Sequence, residues 1–146
     1  MVADFIRSIT KDFFINFKES NSYILMNATF SATVLHVSNL EQSLHFYTKT
    51  LGFDEAFNAG AYAGVCAGVL MIHLCAPANQ GIKKPIGAGH ICILTDKADH
   101  YYQHLISQNV QIVYPIGDRD YGIRDFAVSD LDGNTLIFGE ELKEIR

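Results

Sequence analysis

"DYGIRDFAVSDLDGNTLIFGEE", residues 120–141, holds two runs of alternating apolar residues around Asp-Leu-Asp-Gly-Asn. Gly133 and Asn134 tolerate positive φ, and Asp130 and Asp132 can accept bonds from nearby backbone amides, so the spacing predicts strand, tight turn, strand. On the last strand Thr135, Ile137 and Gly139 share one face, and Leu136 and Phe138 share the other.

The same grammar runs backwards through the chain, twice. "FSATVLHV", residues 30–37, alternates as a strand, and "NLEQSLHFYTKTLGF", residues 39–53, follows as an amphipathic helix. Asn39 is its expected N-cap, Gly52 its C-cap, and Leu40, Leu44, Tyr47 and Leu51 its buried stripe. Strands are expected at "DEAFN", "AYAGVC" and "VLMIHLCA", with Gly68 at the turn before the last. After a Pro/Gly-rich connection from Pro77 to Gly89 the order recurs: "GHICILT", the helix "KADHYYQHLISQN", then "VQIVY", "GIRDFAVS" and "TLIFGEE". The expectation is an α+β fold of two tandem βαβββ modules, residues 29–77 and 88–142, forming a curled mixed sheet around a cavity. The repeat rests on pattern, since few letters match between the halves.

Composition narrows the function. Net charge is -5 and no Lys/Arg cluster stands out, which argues against a nucleic-acid partner. Cys66, Cys75 and Cys92 show no CxxC spacing and leave one thiol over, which favours a reducing cytoplasm over a disulfide framework. No apolar run approaches the roughly 20 residues of a membrane span. Residues 1–28 form a separate extension. Phe5, Ile6, Ile9, Phe13 and Phe17 recur there at helical spacing, so an amphipathic helix packed on protein is expected ahead of the domain at 29–146.

Each strand sorts its residues onto two faces. One is apolar throughout and suits a covering helix; the other gathers His36, His73, His90, Asp125, Cys75 and Cys92. A sheet curled around the second face makes a polar-lined cavity, the default place for a ligand.

The segments "VLHVSNLEQSLHFYTKTLGF" and "DYGIRDFAVSDLDGNTLIFGEE" resemble the two signature regions of the vicinal oxygen chelate superfamily. That family groups glyoxalase I, fosfomycin resistance proteins, extradiol dioxygenases and bleomycin resistance proteins. The Tyr-Gly before an Arg-Asp-Phe strand is most similar to the bleomycin-resistance-like branch, although Leu131 stands where its turn usually has proline. The resemblance implies metal positions at Ala32, His73, His90 and Ile137. Alanine and isoleucine have no lone pair to offer, and two imidazoles alone hold zinc or iron weakly.

The resemblance also gives His36 as a contact to an anionic group and Tyr121 as an aromatic over the ligand. Asp125 is a candidate for a cationic or hydroxylated ligand, or an ion-pair partner of Arg119 or Arg124. Cys75 and Cys92 are expected as small core hydrophobes, and His45, His100 and His104 as surface residues of helices. The expected function is metal-independent binding of a small organic molecule by sequestration, with His36, His73, His90, Tyr121 and Asp125 as ligand contacts. No cofactor is expected, and a homodimer is. The competing readings are a lyase, isomerase or dioxygenase that recruits zinc, nickel, manganese or iron through His73 and His90, and an interaction module with a vestigial cavity.

Overall fold

The computed structural model describes Met26 and residues 28–143. Strand β1 (Thr33–His36) leads into helix α1 (Leu40–His45), which continues as a π-helical turn over Phe46–Thr50. Strands β2 (Asp54–Asn58), β3 (Tyr62–Ala67) and β4 (Leu70–Cys75) complete the first module. The second repeats it with β5 (His90–Leu94), α2 (Ala98–Ser107), β6 (Ile112–Asp118), β7 (Ile123–Ser129) and β8 (Thr135–Glu141). Each module makes one mixed sheet, ordered β1-β4-β3-β2 and β5-β8-β7-β6. The pair at one edge of each sheet is parallel (β1 with β4, β5 with β8) and the other neighbours are antiparallel. This is the tandem βαβββ architecture that the alternation and helix spacing predict. The amphipathic helix expected within the first 28 residues lies outside the described residues.

The local signals work as anticipated. The Asn39 side chain accepts from the Gln42 amide at 3.0 Å, capping α1, and Gly52 ends the segment at φ 77°. Leu40, Leu44, Tyr47 and Leu51 are all buried. The π turn closes with the Leu51 amide donating to the Phe46 carbonyl at 3.0 Å, and the Thr48 hydroxyl satisfies the Leu44 carbonyl at 2.7 Å. In the β7–β8 turn only Gly133, at φ 101°, takes the left-handed conformation; Asn134 does not.

One core serves both modules. Leu35, Val65, Ile72 and Leu74 from the first sheet join Phe126, Val128, Leu136 and Phe138 from the second and Leu105 from α2. Phe126 and Phe138 stack at 5.5 Å, and Tyr101 and Tyr102 of α2 meet them edge-on at 4.8 and 5.0 Å. Polar ties then fix one module to the other. The Tyr47 hydroxyl donates to Asp130 at 2.9 Å, Tyr101 donates to the Leu51 carbonyl at 2.7 Å, and the Ser38 amide donates to Asp132 at 3.0 Å. Gly87 sits so close to the turn that a Cβ there would lie 1.9 Å from the Asp132 carbonyl oxygen. Its φ of 74° forbids most side chains as well.

Candidate functional site

The face of each sheet turned away from its helix carries the chemistry, and the strand register shows what stands beside what. In the first sheet Val34 pairs with His73 and His36 with Cys75, while β3 sets Gly64 beside His73 and Tyr62 beside Cys75. On β2 Phe57 pairs with Gly64. A Cβ on Gly64 would fall 2.3 Å from the Phe57 ring, so the absence of a side chain is what lets that ring cross the sheet. Phe57 reaches His73 edge-to-face at 5.1 Å, Tyr62 does the same at 5.3 Å, and Phe30 stacks on it at 6.0 Å.

The Tyr62 hydroxyl stands 2.9 Å from His73 Nδ1. Burial raises the pKa of this phenol, so it keeps its proton and stays a neutral hydrogen-bonding partner of the ring. His36 lies on the same face, with Nε2 3.1 Å from the Ile82 carbonyl oxygen. A carbonyl can only accept, so Nε2 donates. Beside His36 and Tyr62 opens a cleft of about 710 Å³ whose walls also include Val34, Cys75, Ile82 and Lys84. Such a volume is within the range of small-molecule sites.

The second sheet repeats the positions with different chemistry. By register Asp125 occupies in β7 the place of Tyr62 in β3, and Tyr114 in β6 the place of Phe57 in β2. Asp125 is buried and both its oxygens are engaged. Arg119 Nε donates to Oδ1 at 2.7 Å and the Tyr121 hydroxyl donates to Oδ2 at 2.6 Å. Arg119 also donates to the Pro115 and Asp125 carbonyls and lies over the Tyr114 ring, 4.9 Å from its centre. The bond to Asp125, then burial and the carboxylate charge, push the Tyr121 phenol up to about 12. Arg124 is committed elsewhere, to Asp99 at 2.8 Å and Asp118 at 2.7 Å. Of the two ion-pair partners considered for Asp125, Arg119 is the one the fold selects.

The five expected contacts therefore fall into groups. His36 lines the cleft together with Tyr62, whose hydroxyl bonds His73; Tyr121 and Asp125 form a pair on the second sheet. His90 stands apart from both, exposed, with Nε2 3.8 Å from Cys92 Sγ. Cys75 is buried as expected, but Cys92 is exposed, because β5 shows alternate residues to solvent. His45, His100 and His104 are exposed on their helices. Phe30, Phe57 and Tyr62 were not singled out from sequence, and Arg119 was named only as one of two partners for Asp125. Only the pairing of Phe57 with Gly64 and the reach of Arg119 across the β6–β7 hairpin reveal them.

The fold implies a metal position, and the donors do not fit it. Ala32 and Ile137 supply no lone pair, and His73 Nδ1 is engaged by the Tyr62 hydroxyl. Among the described residues no group of three or more His, Cys, Asp or Glu side chains is placed to hold a metal ion.

The family model for the glyoxalase/bleomycin resistance protein/dioxygenase superfamily matches residues 29–138. The chain belongs to that superfamily. A bleomycin resistance protein of Geobacillus stearothermophilus is 25% identical over 130 residues, covering 77% of this chain and 97% of its own. The crystal structure of a superfamily member from Sphaerobacter thermophilus matches with a TM-score of 0.68 at 28% identity, over 80% of this chain and 100% of that one. TnmS3, an antibiotic binding protein from Streptomyces sp. CB03234, shares the fold with a TM-score of 0.68 at 22% identity, over 82% and 99% of the two chains. No helix among the described residues is long and apolar enough to cross a membrane.

Proposed function

We propose that this protein binds a small organic molecule on the sheet faces opposite its helices and holds it unchanged, without a metal, so that binding alone keeps the compound from its target. The observation that carries this reading is the 710 Å³ cleft at His36, which adjoins the Phe30, Phe57, Tyr62 and His73 aromatic group. The Tyr62 ring, with His36 and a few fixed polar atoms beside it, suits a planar ligand that carries hydrogen-bonding groups. The bleomycin resistance proteins it resembles support the same class of ligand. His36, His73, His90, Tyr121 and Asp125 remain the proposed contacts, and Asp125 acts through Arg119 and Tyr121 because both its oxygens are already engaged.

We further propose a homodimer. Val34, Phe57 and Leu94, all on these open faces, are exposed in the single chain and suit burial against a second copy. The three free thiols accord with a reducing cytoplasm.

Calorimetric titration with bleomycin and with polycyclic aromatic antibiotics, in the presence of a chelator, tests the reading. Saturable binding of at least one compound is expected, with the ligand recovered intact and affinity about tenfold weaker in His73→Ala, the loss of one good contact. Affinity abolished by the chelator and restored by zinc, or conversion of the bound compound, would sink the proposal in favour of a metal-dependent enzyme.

A further inference from the structure

Cys92 is the reactive side chain that the binding reading leaves unused, and His90, a proposed ligand contact remote from the His36 cleft, stands beside it. They stand two residues apart on β5, and an ideal strand would separate such positions by roughly 7 Å. Their tips nevertheless converge: Cys92 Sγ is 3.8 Å from His90 Nε2, within reach of a weak S–H···N hydrogen bond. Both residues are exposed, on the face that the helices leave open. The remaining thiols differ. Cys75 is buried and its sulfur accepts from Asn79 Nδ2 at 3.4 Å, and Cys66 is half-buried with no imidazole bonded to it among the described residues. A thiol becomes a nucleophile when a base within reach takes its proton.

We propose that Cys92, with His90 as its base, captures soft electrophiles of the α,β-unsaturated carbonyl or quinone class as a covalent adduct, one per chain. With the ring proton on Nδ1, His90 Nε2 accepts the thiol proton. The sulfur attacks the β-carbon, a C–S bond forms, and the C=C electron pair moves onto the carbonyl as an enolate. The imidazolium returns the proton to the α-carbon. The net change is addition of S–H across the double bond, with nothing oxidised, nothing reduced and no leaving group. That balance is why this class fits the site. Acyl transfer would need donors aimed at an oxyanion and a water for release, whereas conjugate addition needs only a nucleophile and one proton carrier.

The row beside the pair favours a flat acceptor. Across the sheet Cys92 neighbours Ile137, then Ala127, then Tyr114, so small and apolar side chains separate the thiol from an aromatic ring. A planar enone or quinone can lie along that row.

The probe is N-ethylmaleimide, added below one equivalent to the intact protein, with adducts followed by peptide mass spectrometry. Cys92 is expected to be modified first, about tenfold faster than Cys66, since an unassisted thiol is only a few per cent thiolate near pH 7. In His90→Gln the Cys92 rate should fall about tenfold while the Cys66 rate stays fixed, which also reports that the fold is intact. Added imidazole should restore the Cys92 rate in that variant and leave Cys66 unchanged. Equal rates at Cys92 and Cys66, or a Cys92 rate indifferent to His90→Gln, would overturn the inference. It stands apart from sequestration at the His36 cleft, because Cys92→Ser abolishes the adduct and leaves reversible binding there intact.

Discussion

Asp125 shows how one side chain can set the state of its neighbours. It sits at 4% exposure with Arg119 on one oxygen and Tyr121 on the other. The carboxylate keeps the Tyr121 proton in place, which raises the phenol from 10.0 to about 12. A folded-state value above the unfolded one means the contribution is fully present below about pH 10 and is lost as pH climbs toward about 12. Tyr121 is 39% exposed, so solvent screening keeps the stability effect small. The titration itself is the sharper readout. Ultraviolet difference spectra of Asp125→Asn should show one phenol returning toward 10.0, and a spectrum unchanged from wild type would refute the assignment. The same substitution should loosen Arg119, whose guanidinium loses the bond that raises its pKa.

At the scale of elements, the β7–β8 turn does more than reverse the chain. Asp130 Oδ1 accepts from the Asp132 and Asn134 amides at 3.0 and 2.8 Å, and Oδ2 accepts from Tyr47 and Asn134 Nδ2 at 2.9 and 2.8 Å. Asn134, itself buried, accepts from the Gly89 amide at 2.7 Å and donates to the His36 carbonyl at 3.3 Å. A turn from one module thereby ties down the helix of the other and the strand that carries His36. Asp130→Ala would leave the buried Tyr47 hydroxyl without its acceptor and free two turn amides. A loss of about 3 kcal/mol is expected in urea unfolding, given the cost of orphaning buried partners of a charged group. A loss below about 1 kcal/mol would show that water replaces the carboxylate. Two features of this turn, the Asp130 self-capping and the left-handed glycine, follow from Asp-x-Asp-Gly-Asn; the grip on Tyr47 needs the folded chain.

For the whole molecule, two sheets with open faces leave apolar groups in solvent: Phe30 at 63%, Leu94 at 61% and Val34 at 43% exposure. A second copy that covers them would explain why a chain with a well-filled core leaves them bare. Sedimentation at micromolar concentration should give a dimer for wild type and a monomer for the Val34→Glu, Leu94→Glu double variant. A wild-type monomer would count against the proposed dimer. Burying one such side chain contributes about 2 kcal/mol, so two on each protomer are enough to shift the equilibrium by several orders of magnitude.

Alternation, helix spacing, caps and turn residues are local properties, and they determined the fold: two βαβββ modules, the buried stripe of α1, the Gly52 and Gly133 conformations and the division of each strand into two faces. Side-chain period alone decides which face is apolar, so His36, His73 and His90 could be assigned to the open faces from sequence. The contents of the site depended on contacts between strands far apart in the chain. Phe57 reaches His73 because register sets Gly64 between them; Asp125 takes Arg119 and not Arg124 because the hairpin brings only the former to its face. The pairing of Cys92 with His90 depends on how two side chains lean, which residue spacing cannot fix. Periodicity constrains directions, whereas distances between side chains arise only when register and packing are settled together.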